Sequence, residues 1–285
     1  MTLQPTPEDV RKRLDAYLSE HIPQVSRSFL QNLIDKGTIK VNGAMQKTGY
    51  KLRANDTIEI DYDFTVLEQE KIDLPILYED EDCIVVNKPL GVLSHSKGAF
   101  NPEGTVGSFI RPKLKDLEGD RAGIVHRLDR ATSGVIIAAK DATALSWLQK
   151  QFSQRKVKKT YYAVIKGAPK LKKAVIEVAI ERNPRDPKTF RPGSRGKPAT
   201  TEYEVIEEGP TYSLVKLMPK TGRTHQLRVH LKYLGHPIVG DTIYDGESAE
   251  RLFLHAQQLE ITLPNRTRST FEAPLPPEFR AILKT

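Results

Sequence analysis

The sequence predicts an α+β protein in two parts: a small helix–helix–sheet unit, then a larger, mostly antiparallel mixed sheet flanked by helices and loops. Three observations carry that expectation. Apolar residues recur at helical spacing near the start, period-two alternation dominates beyond residue 75, and the stretch between them is aperiodic and mixed in charge. With 285 residues, 38% of them hydrophobic, the chain can fill one large core and one small one, which excludes a wholly disordered protein. The parts are placed at 8–63 and 75–285, with a linker over 64–74.

In the first part Val10, Leu14, Tyr17 and Leu18 predict one helix. Ser26 caps a second, whose apolar face is Phe29, Leu30, Leu33 and Ile34 and which ends at Gly37. TIKVNG then reads as a strand entering an Asn-Gly turn, and DTIEIDYD alternates as another strand.

The second part is rich in strand-like runs: CIVVNKP, GVIIAAK, TYYAVIKG, KAVIEVAI, TTEYEVIEE, TYSLVKLMP and RLFLHAQQLEITLP. Two helices interrupt them. Asp141 caps one carrying Leu145, Leu148 and Phe152, and Thr224 caps another carrying Leu227, Leu231 and Leu234. The segment ERNPRDPKTFRPGSRGKPAT gathers Arg182, Arg185, Lys188, Arg191, Arg195 and Lys197 against Asp186 among prolines and glycines, and is expected to be an exposed loop.

Charge and cysteine content narrow the function. Lys and Arg number 44 against 36 Asp and Glu, a net charge of +8 that favours a polyanionic partner such as RNA. The single cysteine, Cys83, forms no internal disulfide, and no Cys or His pair has zinc-site spacing, so a reducing cytoplasm and no metal are expected. The N-terminal MTLQPTPEDVRKRL carries charge where a signal peptide needs an apolar stretch, and no run reaches membrane-spanning length. A soluble protein without a membrane partner is the expectation, and in the absence of an assembly segment, a monomer.

Three constellations could carry chemistry. GIVHRLDRATSGVIIAAK sets His126, Arg127, Asp129 and Arg130 between two apolar runs, at a strand end or in a cleft. Catalysis by Asp129 and a plain turn cap or Arg pair both remain open there. In PKTGRTHQLRVHLKYLGHPIVGDTIYDG, Arg223 stands at a helix entrance where it reaches a carboxylate or a phosphate. His225, His230 and His236 lack the i, i+4 spacing of a helical metal pair, so hydrogen-bonded structural histidines are the better reading. In KVKKTYYAVIKG, alternation sends Tyr161 and Tyr162 to opposite faces, one to the core and one free to stack on a base. No phosphate loop, dinucleotide fingerprint or nucleophile elbow occurs, so a nucleotide cofactor has no support.

HRLD within GIVHRLDRATSG, KTYYA, and TGRTHQLRVHL followed by GHPIVGD resemble, in order, the motifs of pseudouridine synthases of the RluA type over about residues 75–285. RLDAYL, SRSFLQNLIDKGTIKVNG and YKLRANDTIEI resemble the small RNA-binding domain of ribosomal small-subunit protein four. The resemblance implies that Asp129 is catalytic, that Arg127 helps evict the target base, and that Tyr161 stacks on the uracil. It further implies that Arg223 ion-pairs with Asp129 and that Leu227 walls the pocket. The first part is expected to add backbone affinity through Arg27 and Lys40, against a plain solvated basic face.

That chemistry cuts the bond from ribose to uracil nitrogen, turns the base over and rejoins it through ring carbon five, with no cofactor. A hydrolase must place water, whereas an isomerase must exclude it, so one carboxylate in a closed pocket suits the task if a cation keeps it ionised. Attack on the sugar and removal of a ribose proton to give a glycal are both open to Asp129, and the resemblance favours the glycal. The target uridine must leave its stack at a cost of about a few kcal/mol. Large-subunit ribosomal RNA is expected over transfer RNA. The competing readings are a catalytically silent, ribosome-associated RNA-binding protein and a base-releasing glycosidase.

Overall fold

The computed structural model describes residues 1–64, 69–96, 101–117, 121 and 123–285. Of the linker expected over 64–74, residues 65–68 lie outside the described residues. The first elements are β1 (Thr2–Leu3), α1 (Leu14–His21), α2 (Arg27–Asp35), β2 (Ile39–Val41) and β3 (Ile58–Ile60). The strands form an antiparallel sheet in the order β1-β3-β2, and the short β1 is an element that the alternation did not announce.

Local chemistry explains this unit. The Ser26 side chain accepts the Phe29 backbone N–H at 3.2 Å, and Gly37, at φ 73°, lets the chain leave α2. Asn42 and Gly43, at φ 52° and 72°, make the tight turn after β2. Leu14, Tyr17, Leu18, Phe29, Leu30, Leu33 and Ile34 pack with β2 and β3 into one core. Val10 is not part of the helix as expected: Arg11 takes φ 69°, which interrupts the helical run before Leu14 and leaves Val10 exposed. Asp15 is fully buried, and although burial raises its pKa, hydrogen bonds from Arg13, Arg27 and Gln31 outweigh that and hold it well below the usual carboxylate range.

The remaining elements are β4 (Ile76–Glu79), β5 (Cys83–Lys88), α3 (Val106–Ile110), β6 (Ser133–Ala139), α4 (Ala142–Ser153), β7 (Lys158–Lys166), β8 (Lys173–Glu177), β9 (Ile180–Arg182), β10 (Phe190–Pro192), β11 (Thr200–Glu208), β12 (Tyr212–Pro219), α5 (Gln226–Tyr233), β13 (Leu254–Thr262), β14 (Arg268–Glu272) and α6 (Glu278–Ala281). Among the described residues nine strands form one sheet, β4-β5-β6-β13-β7-β12-β11-β8, with β14 on β13. Only β6 and β13 run parallel, so the fold is α+β with a mostly antiparallel mixed sheet.

The centre of the sheet is covered on both faces. Cys83, Val85, Val135, Ile137 and Ala139 face α4 and β14, while Ile84, Val86, Ile136 and Ala138 face the α3 side. This double burial is why GVIIAAK reads as a continuous apolar run rather than an alternating one. Asp141 caps α4 through the Ala144 N–H at 2.8 Å. The stretch 182–197 is not all loop as expected: residues 184–188 are exposed loop, but they join two antiparallel strands, Phe190 opposite Arg182 and Pro192 opposite Ile180, because Ile180 and Phe190 pack against Tyr244 and Val229.

Among the described residues no helix is long and apolar enough to cross a membrane. Gly134 is required where β6 meets β13: it sits at φ 117°, and a Cβ there would lie 2.2 Å from the Ala256 carbonyl oxygen. Gly134→Ala should therefore cost about 3 kcal/mol of unfolding free energy from backbone strain and overpacking, read by denaturant titration.

Candidate active site

Asp129 lies in the turn that feeds β6, and three sets of contacts immobilise that turn. Ser94 Oγ donates to the Leu128 carbonyl at 2.8 Å and accepts the Leu128 N–H at 3.0 Å. Lys88 is fully buried and its ammonium donates to the carbonyls of Pro89, Val92 and Arg130 at 2.9, 2.8 and 3.4 Å. The Thr132 N–H closes the turn on the Asp129 carbonyl at 3.0 Å. Burial pushes the Lys88 pKa down to about 7, against the pull of the Asp129 charge.

The turn opens into a cleft of about 610 Å³ lined by Asp129, Arg127, Tyr161, Arg223, Leu227 and Arg228, among others. The structure thus gathers on one cleft every residue of the second part that the sequence singled out for substrate. Tyr161 faces it from β7, and burial, then the Asp129 charge, raises its hydroxyl pKa far above the usual range. Tyr162 is not among the cleft-lining residues. Leu227 is buried on the first turn of α5, and Arg127 stands exposed at the rim.

The expected partner of Asp129 must be corrected. Arg223 does not pair with it: its Nε donates to the Pro198 carbonyl at 3.1 Å, because the chain entering α5 turns it toward β11. The guanidinium facing Asp129 belongs to Arg228, with Nη1 3.7 Å from Oδ2. The same arginine grips buried Asp241 through Nε and Nη2 at 2.7 and 2.6 Å.

Thr224 does not cap α5, a second correction. Its N-cap is His225, in the left-handed region at φ 54°, and the preceding loop is tied instead by Gln226. The Gln226 Oε1 accepts from Thr221 Oγ1 and the Arg223 N–H, while its Nε2 donates to the Thr200 carbonyl and Thr201 Oγ1. His230 bonds Thr201 and the Val178 carbonyl, and His236 the Lys166 carbonyl, which is the structural role expected. His225 differs, for its Nε2 lies 3.7 Å from Asp129 Oδ2.

Two further cleft residues stood in the quoted motifs without an assigned role. Lys159 lines the pocket with its pKa pushed down to about 8 by burial, one donor going to the Thr221 carbonyl at 3.3 Å. His126 stacks on Phe152 with centroids 4.6 Å apart and accepts the Ile137 N–H at 3.1 Å. Burial brings its pKa down to about 3, so it is a neutral strut. In the first part, Arg27 is half-exposed and pairs with Asp15 at 2.9 Å, whereas Lys40 is exposed on β2.

Residues 82–233, more than half of the chain, match the family model for RNA pseudouridylate synthases. The chain belongs to the RNA pseudouridylate synthase family. Residues 12–58 of the synthase match the S4 domain. It is 39% identical over 289 residues to the ribosomal large subunit pseudouridine synthase D of Borreliella burgdorferi, covering 95% of this chain and 88% of that one. Similarity to the ribosomal large subunit pseudouridine synthase C of Vibrio vulnificus is 35% identity, over 89% of this chain and 85% of the relative. Human RNA pseudouridylate synthase domain containing 1 superposes with a TM-score of 0.61 at 32% identity, covering 73% of this chain and 87% of that one. The synthase is therefore an isomerase.

Asp241→Ala would leave the Arg228 guanidinium buried without its partner. Unfolding free energy should fall by about 3–5 kcal/mol, read by chemical denaturation.

Proposed function

We propose that the synthase isomerises uridines of large-subunit ribosomal RNA, with Asp129 as the catalytic carboxylate. The observation that carries this reading is the Asp129 carboxylate in the cleft, with the Arg228 guanidinium 3.7 Å from its Oδ2. Asp129 takes a ribose proton as the bond from C1′ to the uracil nitrogen breaks, leaving a glycal and a uracil anion. The base turns over, its C5 attacks C1′, Asp129 returns the proton to the sugar, and the C5 hydrogen leaves as the nitrogen is protonated. Nothing is added or lost.

Tyr161 stacks on the extruded uracil, Leu227 walls the pocket, and Arg127 fills the gap left in the RNA stack. Arg223 meets substrate phosphate at the cleft mouth rather than Asp129. The unit at 8–63 adds backbone affinity through Arg27 and Lys40, joined by 64–74 to a catalytic unit at 75–285. Isomerisation is favoured over hydrolysis because Asp129 is the only Asp or Glu among the described cleft-lining residues, and Asp241 behind Arg228 is buried and held at both oxygens. The enzyme works as a monomer in the cytoplasm, the setting that suits the ribosomal large subunit in the names of its relatives.

RNA from cells lacking the gene, treated with wild type or Asp129→Asn and mapped chemically for pseudouridine, tests this. Wild type should modify discrete large-subunit sites and the variant should be slower by at least about a thousandfold. Modification confined to transfer RNA would overturn the target, and stoichiometric free uracil would overturn the isomerisation. Tyr161→Phe should retain the rate because stacking needs only the ring, whereas Tyr161→Ala should lose about 1–3 kcal/mol of base engagement, seen as a lower single-turnover rate.

A further inference from the structure

We propose that His225 is a positioning residue for Asp129, aimed by Tyr244 and, through Tyr244, by the backbone of the basic β9–β10 hairpin; this rests on Asp129 being the catalytic carboxylate. The Phe190 backbone N–H has only a proton to give, so it donates to the Tyr244 hydroxyl at 3.0 Å. That hydroxyl lies 2.7 Å from His225 Nδ1, and in the proposed relay it donates to that nitrogen. With Nδ1 accepting, the N–H of the neutral imidazole is on Nε2, the nitrogen 3.7 Å from Asp129 Oδ2.

Tyr244 is placed to set both groups that face the carboxylate. It is 2% exposed, its hydroxyl holds the imidazole, and its ring carries the Arg228 guanidinium 4.9 Å from the centroid. The His225 backbone sits at φ 54°, an uncommon conformation for histidine, at the residue whose ring is aimed. The Phe190 ring meets that imidazole edge-on at 5.5 Å and bears the Arg182 guanidinium at 5.3 Å. The hairpin and the carboxylate therefore share one chain of contacts.

The relay needs a neutral imidazole. Its pKa is held below the ordinary 6.5, first by burial, with Asp129 and Asp241 pulling it up and Arg228 and Arg127 pushing it down. A second proton, on Nδ1, would turn that nitrogen from acceptor to donor and reverse its bond with Tyr244. Acidification therefore lowers the rate.

Single-turnover kinetics on RNA from cells lacking the gene tests the relay. Tyr244→Phe, which keeps the ring beneath Arg228, should slow the step about tenfold, and His225→Leu about a hundredfold, with the Kd for RNA unchanged. His225→Gln, which keeps an N–H near the Nε2 position, should recover most of the loss, and the fall in rate on acidification should be absent from it. Equal rates for the glutamine and leucine variants, a loss in Kd rather than in rate, or an unaltered pH profile overturns the proposal. If Asp129→Asn is inactive while the His225 and Tyr244 variants match wild type, the relay alone falls. If Asp129→Asn stays active, the reading of Asp129 falls and takes the relay with it.

Discussion

One guanidinium shared by two carboxylates organises the site. Arg228 gives Nε and Nη2 to Asp241 and leaves Nη1 facing Asp129. The first contact is bidentate and buried, and it fixes the guanidinium plane; the second is longer and open to the cleft. An arginine held only by Asp129 would move with it and could not serve as a reference point. Asp241 comes from the segment after α5 and Asp129 from the turn before β6, so the pair also fastens together two stretches of chain far apart in sequence.

The same division between held and free appears in the backbone. Lys88 and Ser94 satisfy the carbonyls and amides around Asp129, so the turn is fixed without using the Asp129 side chain. Among the described residues that carboxylate accepts no hydrogen bond, while every oxygen of Asp241 is engaged. Lone pairs committed to hydrogen bonds cannot take a proton from a substrate. The difference between the two aspartates is therefore a difference of availability set by distance, not of residue type.

Much of this was legible in the sequence, for identifiable reasons. Ser26, Asp141 and the Asn42-Gly43 turn act through partners three or fewer residues away, and the resemblance of three ordered motifs brought Asp129, Tyr161 and Leu227 to one cleft. Arg223 and Arg228 lie within one motif, and its spacing does not say which guanidinium points at Asp129. The signal was present in another form: Arg228 lies three residues before Leu231 on the apolar face of a helix, where an arginine needs a buried acid, and GHPIVGD supplies Asp241. The Thr224 cap failed because Gln226, a side chain within the helix, had already tied the entering loop to β11. The β9–β10 hairpin was hidden by prolines and charges, since its pairing depends on Tyr244, more than fifty residues away.

The spacing of 3.7 Å between Asp129 Oδ2 and both Arg228 Nη1 and His225 Nε2 has a chemical meaning of its own. At that separation, in the effective dielectric of a partly buried site, a guanidinium stabilises a carboxylate by a few kcal/mol, roughly, without engaging the lone pair directly. A contact drawn in to hydrogen-bond length would stabilise the anion further but would weaken it as a base by the same amount, because the proton it accepts must compete with the bond it already holds. Holding two donors just beyond bonding reach sets them against the carboxylate while leaving its lone pairs open, and that condition is met only if the donors are fixed by something other than the aspartate. Asp241 fixes one and Tyr244 the other.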